Sequence, residues 1–108
     1  MNIDQKVTGD VMVVKVNGDI TLNQGGDVLL KDKIQSLLQQ GHKKLVLDLG
    51  GVAYVDSAGL GQLVQATVTA SKNGGKLKLL NLTKRLNDLL VVTKLSTVFD
   101  IVEKESDF

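Results

Sequence analysis

Apolar residues fall along this chain in two rhythms. Val11-Met12-Val13-Val14-Lys15-Val16 is an almost wholly apolar, β-branched run, and Leu45 to Leu49 is a second. Such runs predict strands buried on both faces. Ile3 to Val7 is a weaker strand, joined to the first run by the turn signal Thr8-Gly9-Asp10, so that pair is expected to form an antiparallel hairpin. Leu77 to Leu82 and Ser96 to Val102 read as two further strands. Between the strands the spacing becomes helical. Leu30, Ile34, Leu37 and Leu38 share one face, with Lys31, Asp32, Lys33, Gln35 and Gln39 opposite. Asp27 is expected to cap that helix and Gly41 to end it. Leu60, Leu63, Val64, Thr67, Val68 and Ser71 line a second helix, stopped by Asn73-Gly74-Gly75. Thr83 caps a third, with Leu86, Leu89 and Leu90 inward. Glu103 to Phe108 reads as a polar tail or the stub of a helix. The order β-β-α-β-α-β-α-β predicts an α/β fold, a mixed sheet of N-terminal hairpin plus parallel strands covered by helices.

Composition narrows the function classes. A length of 108 residues predicts a single domain over 1–108. There is no cysteine, so a disulfide framework and thiolate metal sites are excluded. A formal charge of +1, with acids and bases interspersed, gives no electrostatic case for nucleic acid or an anionic membrane as partner. No apolar run approaches the roughly 20 residues of a membrane span, and a cytoplasmic protein, monomeric or weakly dimeric, is expected. Neither a cofactor nor a metal is called for.

The informative stretch is the join between the strand ending near Leu49 and the second helix: Asp48-Leu49-Gly50-Gly51-Val52-Ala53-Tyr54-Val55-Asp56-Ser57-Ala58-Gly59-Leu60-Gly61. An aspartate-serine pair at such a join most often does no more than cap the helix. Three features point further. Gly59 and Gly61 stand inside the first helical turn, where each costs about 1 kcal/mol relative to alanine, which suggests that another backbone or a ligand comes close. No residue from Ser57 to Ser71 is charged, and the expected outward face, Gly61, Gln62, Gln65, Ala66 and Thr69, is small and neutral, as a docking surface is. A serine at a helix N-terminus is also a favourable place for a phosphate.

Catalysis is poorly supported. The hydrolase elbow requires Gly-x-Ser-x-Gly, and here Val55 stands where the leading glycine belongs. The single histidine, His42, follows the first helix and is read as a surface loop residue, so Ser57 lacks a base. Asp48 ends a strand as a phospho-acceptor aspartate does, but no acidic pair follows the first parallel strand to hold Mg²⁺. No Walker-type phosphate loop is present.

Val46-Leu47-Asp48-Leu49-Gly50-Gly51-Val52, followed by Val55-Asp56-Ser57-Ala58-Gly59-Leu60-Gly61, resembles the signature of STAS domains, and within them the stand-alone bacterial anti-sigma factor antagonists. Val16-Asn17-Gly18-Asp19-Ile20 resembles the family's Gly-acid turn, Gly74 to Leu79 its fourth strand, and Leu89 to Leu95 with Val98-Phe99 its ending. The resemblance implies a non-enzymatic switch. The unphosphorylated protein would bind an anti-sigma factor, a serine kinase with a GHKL-type ATP site; the kinase would phosphorylate Ser57 and so lose its hold; a serine phosphatase would reverse this. The implied partner surface comprises Asp19, Asp56, Ser57, Ala58, Gly59, Gly61, Gln62 and Gln65. Two departures stand out: Thr21 occupies a position often acidic in the family, and a longer C-terminal helix is short or missing. Two other readings are a STAS subunit of a larger assembly, such as a stressosome or lipid-transport complex, and a small nucleotide-binding protein using Asp48 and Asp56.

Overall fold

The computed structural model describes residues 1–104 and 108. The elements are β1 (Asn2–Thr8), β2 (Val11–Asn17), α1 (Gly26–Gln39), β3 (Lys44–Gly51), α2 (Ser57–Lys72), β4 (Lys76–Leu80), α3 (Lys84–Val92) and β5 (Asp100–Val102). They form one five-stranded sheet whose spatial order equals the chain order. β1 and β2 are the antiparallel hairpin, with Thr8 opposite Val11, and β2 through β5 run parallel.

That strand order decides where the helices go. Crossovers of one hand between successive neighbours place every connection on the same side of the sheet. The main core accordingly joins Met12, Val14, Val16, Leu45, Leu47, Leu49, Leu77 and Leu79 to Leu30, Ile34 and Leu37 of α1, Leu63 and Ala70 of α2, and Leu86 and Leu90 of α3. The opposite strand parity, Val11, Val13, Val46 and Leu80, forms a second small cluster with no helix residue in it. Val102 and Phe108 pack against it, and the Lys78 ammonium lies 4.8 Å from the Phe108 ring centroid. The expectation of a polar tail or helix stub over Glu103–Phe108 falls partly on 105–107, outside the described residues.

Each helix ends in the same hydrogen-bonded motif, in which the two amides after the C-cap turn back to the last free carbonyls. In α1, Gly41 N donates to Leu38 O at 3.1 Å and His42 N to Leu37 O at 3.1 Å, with Gly41 at φ 95°, as its glycine predicts. In α2 the pairs are Gly74 to Ser71 and Gly75 to Ala70; in α3 they are Lys94 to Val91 and Leu95 to Leu90.

Four expectations are corrected. Asp27 does not cap α1: Gly25, at φ 68°, holds that position without a side-chain hydrogen bond, and Asp27 is buried in the first turn. β4 stops at Leu80 because Asn81 turns into a left-handed conformation, φ 59°. β5 is confined to Asp100–Val102, since Leu95 and Ser96 donate to Leu90 O and hold the preceding residues in a turn. The face of α2 is also rotated from the one expected. Its fully buried residues are Gly59, Leu63, Ala66 and Ala70, whereas Val68 is 37% exposed and Ser71 is exposed. α2 packs against both the sheet and α1, and small residues are what let two helix backbones approach. Bulk alone therefore misplaces the buried arc.

Candidate functional site

The parallel strands deliver three loops to one end of the sheet: 18–25 after β2, 52–56 after β3 and 81–83 after β4. Ligands and partners of parallel sheets gather at this carboxyl end. The first two loops interlock. Ile20 N donates to Tyr54 O at 3.1 Å, Asp56 N donates to Ile20 O at 3.3 Å, and Ile20 and Val55 form a parallel bridge.

Asp56 is the N-cap of α2, in extended backbone conformation. Its Oδ1 accepts from Gly59 N at 2.8 Å and its Oδ2 from Leu22 N at 2.9 Å. One carboxylate thus satisfies the first helical turn and pins the neighbouring loop. The Gly59 amide, and after it the Leu22 amide, holds this carboxyl below its ordinary pKa. Ser57 follows as the first helical residue and is exposed.

Gly59 is buried, and a side chain there would collide with the Ile20 carbonyl oxygen. The close backbone approach foreseen at this glycine comes from the chain's own loop. Gly61 differs: nothing lies within 4 Å of where its Cβ would be. Along the outward face of α2 run Ser57, Gly61, Gln65 and Val68, all uncharged and exposed. Ala66, expected on that face, is 4% exposed and belongs to the core. Gln62 is half-buried and, with Gln65, borders a cleft of about 270 Å³ against Lys31, Ile34 and Gln35 of α1. Ala58 is half-buried in the first turn, and Asp19 is half-buried in the first loop, one residue from the Ile20 interlock. Asp19, Asp56, Ser57, Ala58 and Gly59 are therefore gathered at one corner, with Gly61, Gln62 and Gln65 extending along α2.

Sequence reasoning missed the other wall of this corner. A groove of about 520 Å³ separates Tyr54, Ser57 and Leu60 from Arg85, Leu89 and Val92 of α3. Tyr54 is 46% exposed, and the Arg85 guanidinium carbon lies 5.5 Å from its ring centroid. Leu22, whose amide Asp56 holds, is 63% exposed. The available signal was an aromatic and a leucine standing in loops, outside any strand or helix period.

His42 follows α1 at the amino end of β3, while Ser57 lies beyond its carboxyl end. Eight strand residues at about 3.3 Å each separate them, so the histidine is no base for this serine. Among the described residues no group of three or more His, Cys, Asp or Glu side chains is placed to hold a metal ion. Among them, too, no helix is long and apolar enough to cross a membrane.

The family model for the STAS domain matches residues 2–108. The chain belongs to the STAS domain family. This STAS chain is 36% identical over 104 residues to the anti-sigma-B factor antagonist of Bacillus subtilis (strain 168), covering 96% of this chain and 93% of that protein. Among solved structures, the Thermotoga maritima protein TM1081 superposes with a TM-score of 0.86 at 24% identity, covering 97% of this chain and 89% of that one. The Bacillus cell fate determinant SpoIIAA, solved in its phosphorylated form, superposes with a TM-score of 0.72 at 17% identity, covering 98% and 96%. At those identities the two structures speak for the fold. Val55 and Asp56, which open the second half of the motif by which the sequence resembles the family, take part in the interlock with Ile20.

Proposed function

We propose that this STAS protein is an anti-sigma factor antagonist, a binding protein rather than an enzyme, controlled by phosphorylation of Ser57. Unmodified, it docks the Ser57 corner and the neutral outer face of α2 on an anti-sigma factor that is itself a serine kinase. The kinase transfers the γ-phosphoryl group of ATP to Ser57 Oγ, the hydroxyl proton leaves, and ADP is released. A serine phosphatase returns the hydroxyl by hydrolysis.

The observation that carries this reading is the exposed Ser57 at the head of an uncharged helix face, beside a carboxylate already committed to two backbone amides. The Bacillus subtilis relative's name supports the partner class. Phosphorylation adds about −1.5 to −2 charge. A charge left unpaired in a desolvated contact costs roughly 2–5 kcal/mol, and each 1.4 kcal/mol is tenfold in affinity. One phosphate then weakens the complex by tens to thousands of times without refolding the domain.

The test is a pull-down with this chain from its source cells, followed by mass spectrometry of the peptide carrying Ser57 and by affinity measurement on the captured kinase. Ser57→Ala should bind about as well as the wild type, and Ser57→Asp should bind tens of times more weakly or worse. Equal affinities for all three would overturn the proposal.

A further inference from the structure

The groove beside Ser57 contains a cation that the phospho-switch as stated does not use. We infer that Arg85 is a phosphate clamp: once Ser57 is phosphorylated, the Arg85 guanidinium leaves the Tyr54 ring and pairs with the phosphate across the groove. The inference rests on the modification of Ser57 proposed above.

Three observations carry it. Ser57 and Arg85 stand on opposite walls of one groove, and Tyr54, three residues before Ser57, lies beneath the guanidinium. Among the described residues, no carboxylate lies within ion-pair distance of Arg85, which is exposed. The other charged groups lining the groove, Asp56 and Asp88, are anionic. Asp56 is committed to the Leu22 and Gly59 amides. A phosphate arriving in a groove lined by two carboxylates needs a counter-charge, and Arg85 is the cation in the lining. Its planar fork matches phosphate oxygens in a two-pronged pair, which lysine does not reproduce. A cation resting on an exposed aromatic face is held weakly enough to be recruited.

The consequence is regulatory. The clamp fastens the phosphate to the domain's own surface, so the released form persists, and a phosphatase must first detach the group. An exposed charge pair contributes enough to slow dephosphorylation by up to about fivefold.

The experiment uses the full chain with phosphoserine incorporated at position 57 during synthesis, which makes it independent of any kinase. Phosphorus NMR gives the second pKa of the phosphate, ordinarily about 6, in the wild type, Arg85→Gln and Arg85→Lys. The clamp predicts a value lower by about half a unit or more in the wild type than in Arg85→Gln, with Arg85→Lys between them. The sole tyrosine in a chain without tryptophan gives a second readout: Tyr54 fluorescence and ring resonances should change more on phosphorylation in the wild type, where the guanidinium leaves the ring, than in Arg85→Gln. Identical phosphate pKa values in the wild type and Arg85→Gln, or Tyr54 changes of equal size in the two, would overturn the clamp. Failure of the kinase to modify Ser57 would instead overturn the proposed function and leave this result standing.

Discussion

Gly59 and Gly61 lie two positions apart on α2, yet alanine should act oppositely at the two. At Gly59 a methyl group meets the Ile20 carbonyl. Gly59→Ala should destabilise the fold by roughly 1–3 kcal/mol, the usual range for overpacking, and disturb the loop that Asp56 pins. At Gly61 the space is open, so Gly61→Ala should stabilise by about 0.4–1 kcal/mol. Urea unfolding of both variants measures this. If the partner seats against α2, Gly61→Ala should also weaken binding while strengthening the fold, a combination no folding defect produces. The sequence drew attention to both glycines. It could not say which close approach was internal, because that depends on a loop nearly 40 residues earlier in the chain.

Asp56 has a pH signature. Its carboxyl is held below the ordinary range by the Gly59 and Leu22 amides, so the unfolded chain binds this proton more tightly than the folded one. Stability from Asp56 is complete above the unfolded pKa of about 4 and is lost as pH falls through the lower folded value. Asp10 follows the same sign, chiefly through its hydrogen bond from Lys44 at 2.7 Å. The part due to Asp56 is therefore the difference between the wild type and Asp56→Asn. The variant should be less stable at pH 7 and should lose less on acidification to pH 3, by urea midpoint. Equal slopes would show that the carboxylate is not bound as described.

Among the elements, the helix ends best show what can be read from residue types. Gly41 and Asn73-Gly74-Gly75 announce the ends of α1 and α2, because a left-handed residue is needed there and glycine takes it without strain. The end of α3 has the same geometry with Lys94 at φ 61°, and nothing in a lysine signals it. A left-handed conformation costs a side-chain-bearing residue roughly 1–2 kcal/mol. After the extra freedom glycine adds to the unfolded chain, Lys94→Gly should raise stability by about 0.5–1 kcal/mol, readable as a higher thermal midpoint. The rotation of α2 was hidden for a related reason. Hydrophobic spacing ranks Val68 above Ala66, but the tight contact with α1 and the sheet selects small residues. Ser96 to Phe99 has strand-like composition, yet the closing hydrogen bonds of α3 keep it in a turn.

At the scale of the molecule, the order of strands and helices and the hairpin were legible, because β-branched runs and helical spacing alternate clearly. The serine corner was legible through its motif. The groove against α3 was not, since Arg85 and Val92 lie off the apolar stripe of their helix and acquire meaning only beside Tyr54. The proposed switch is a change of surface charge on a constant fold. Ser57→Asp places an acid in the first turn of α2, where it interacts favourably with the helix dipole by about 0.3–1 kcal/mol. Its thermal midpoint should equal or slightly exceed that of the wild type while partner binding is lost. A marked drop in stability would mean that the variant acts by unfolding.

Titrating one purified partner kinase, without ATP, with two versions of this chain that differ only in a phosphate on Ser57 measures the switch itself. The unmodified protein should bind at least tens of times more tightly than the phosphorylated one, with both giving the same backbone amide spectrum away from the Ser57 corner. Affinities within twofold of each other would contradict it.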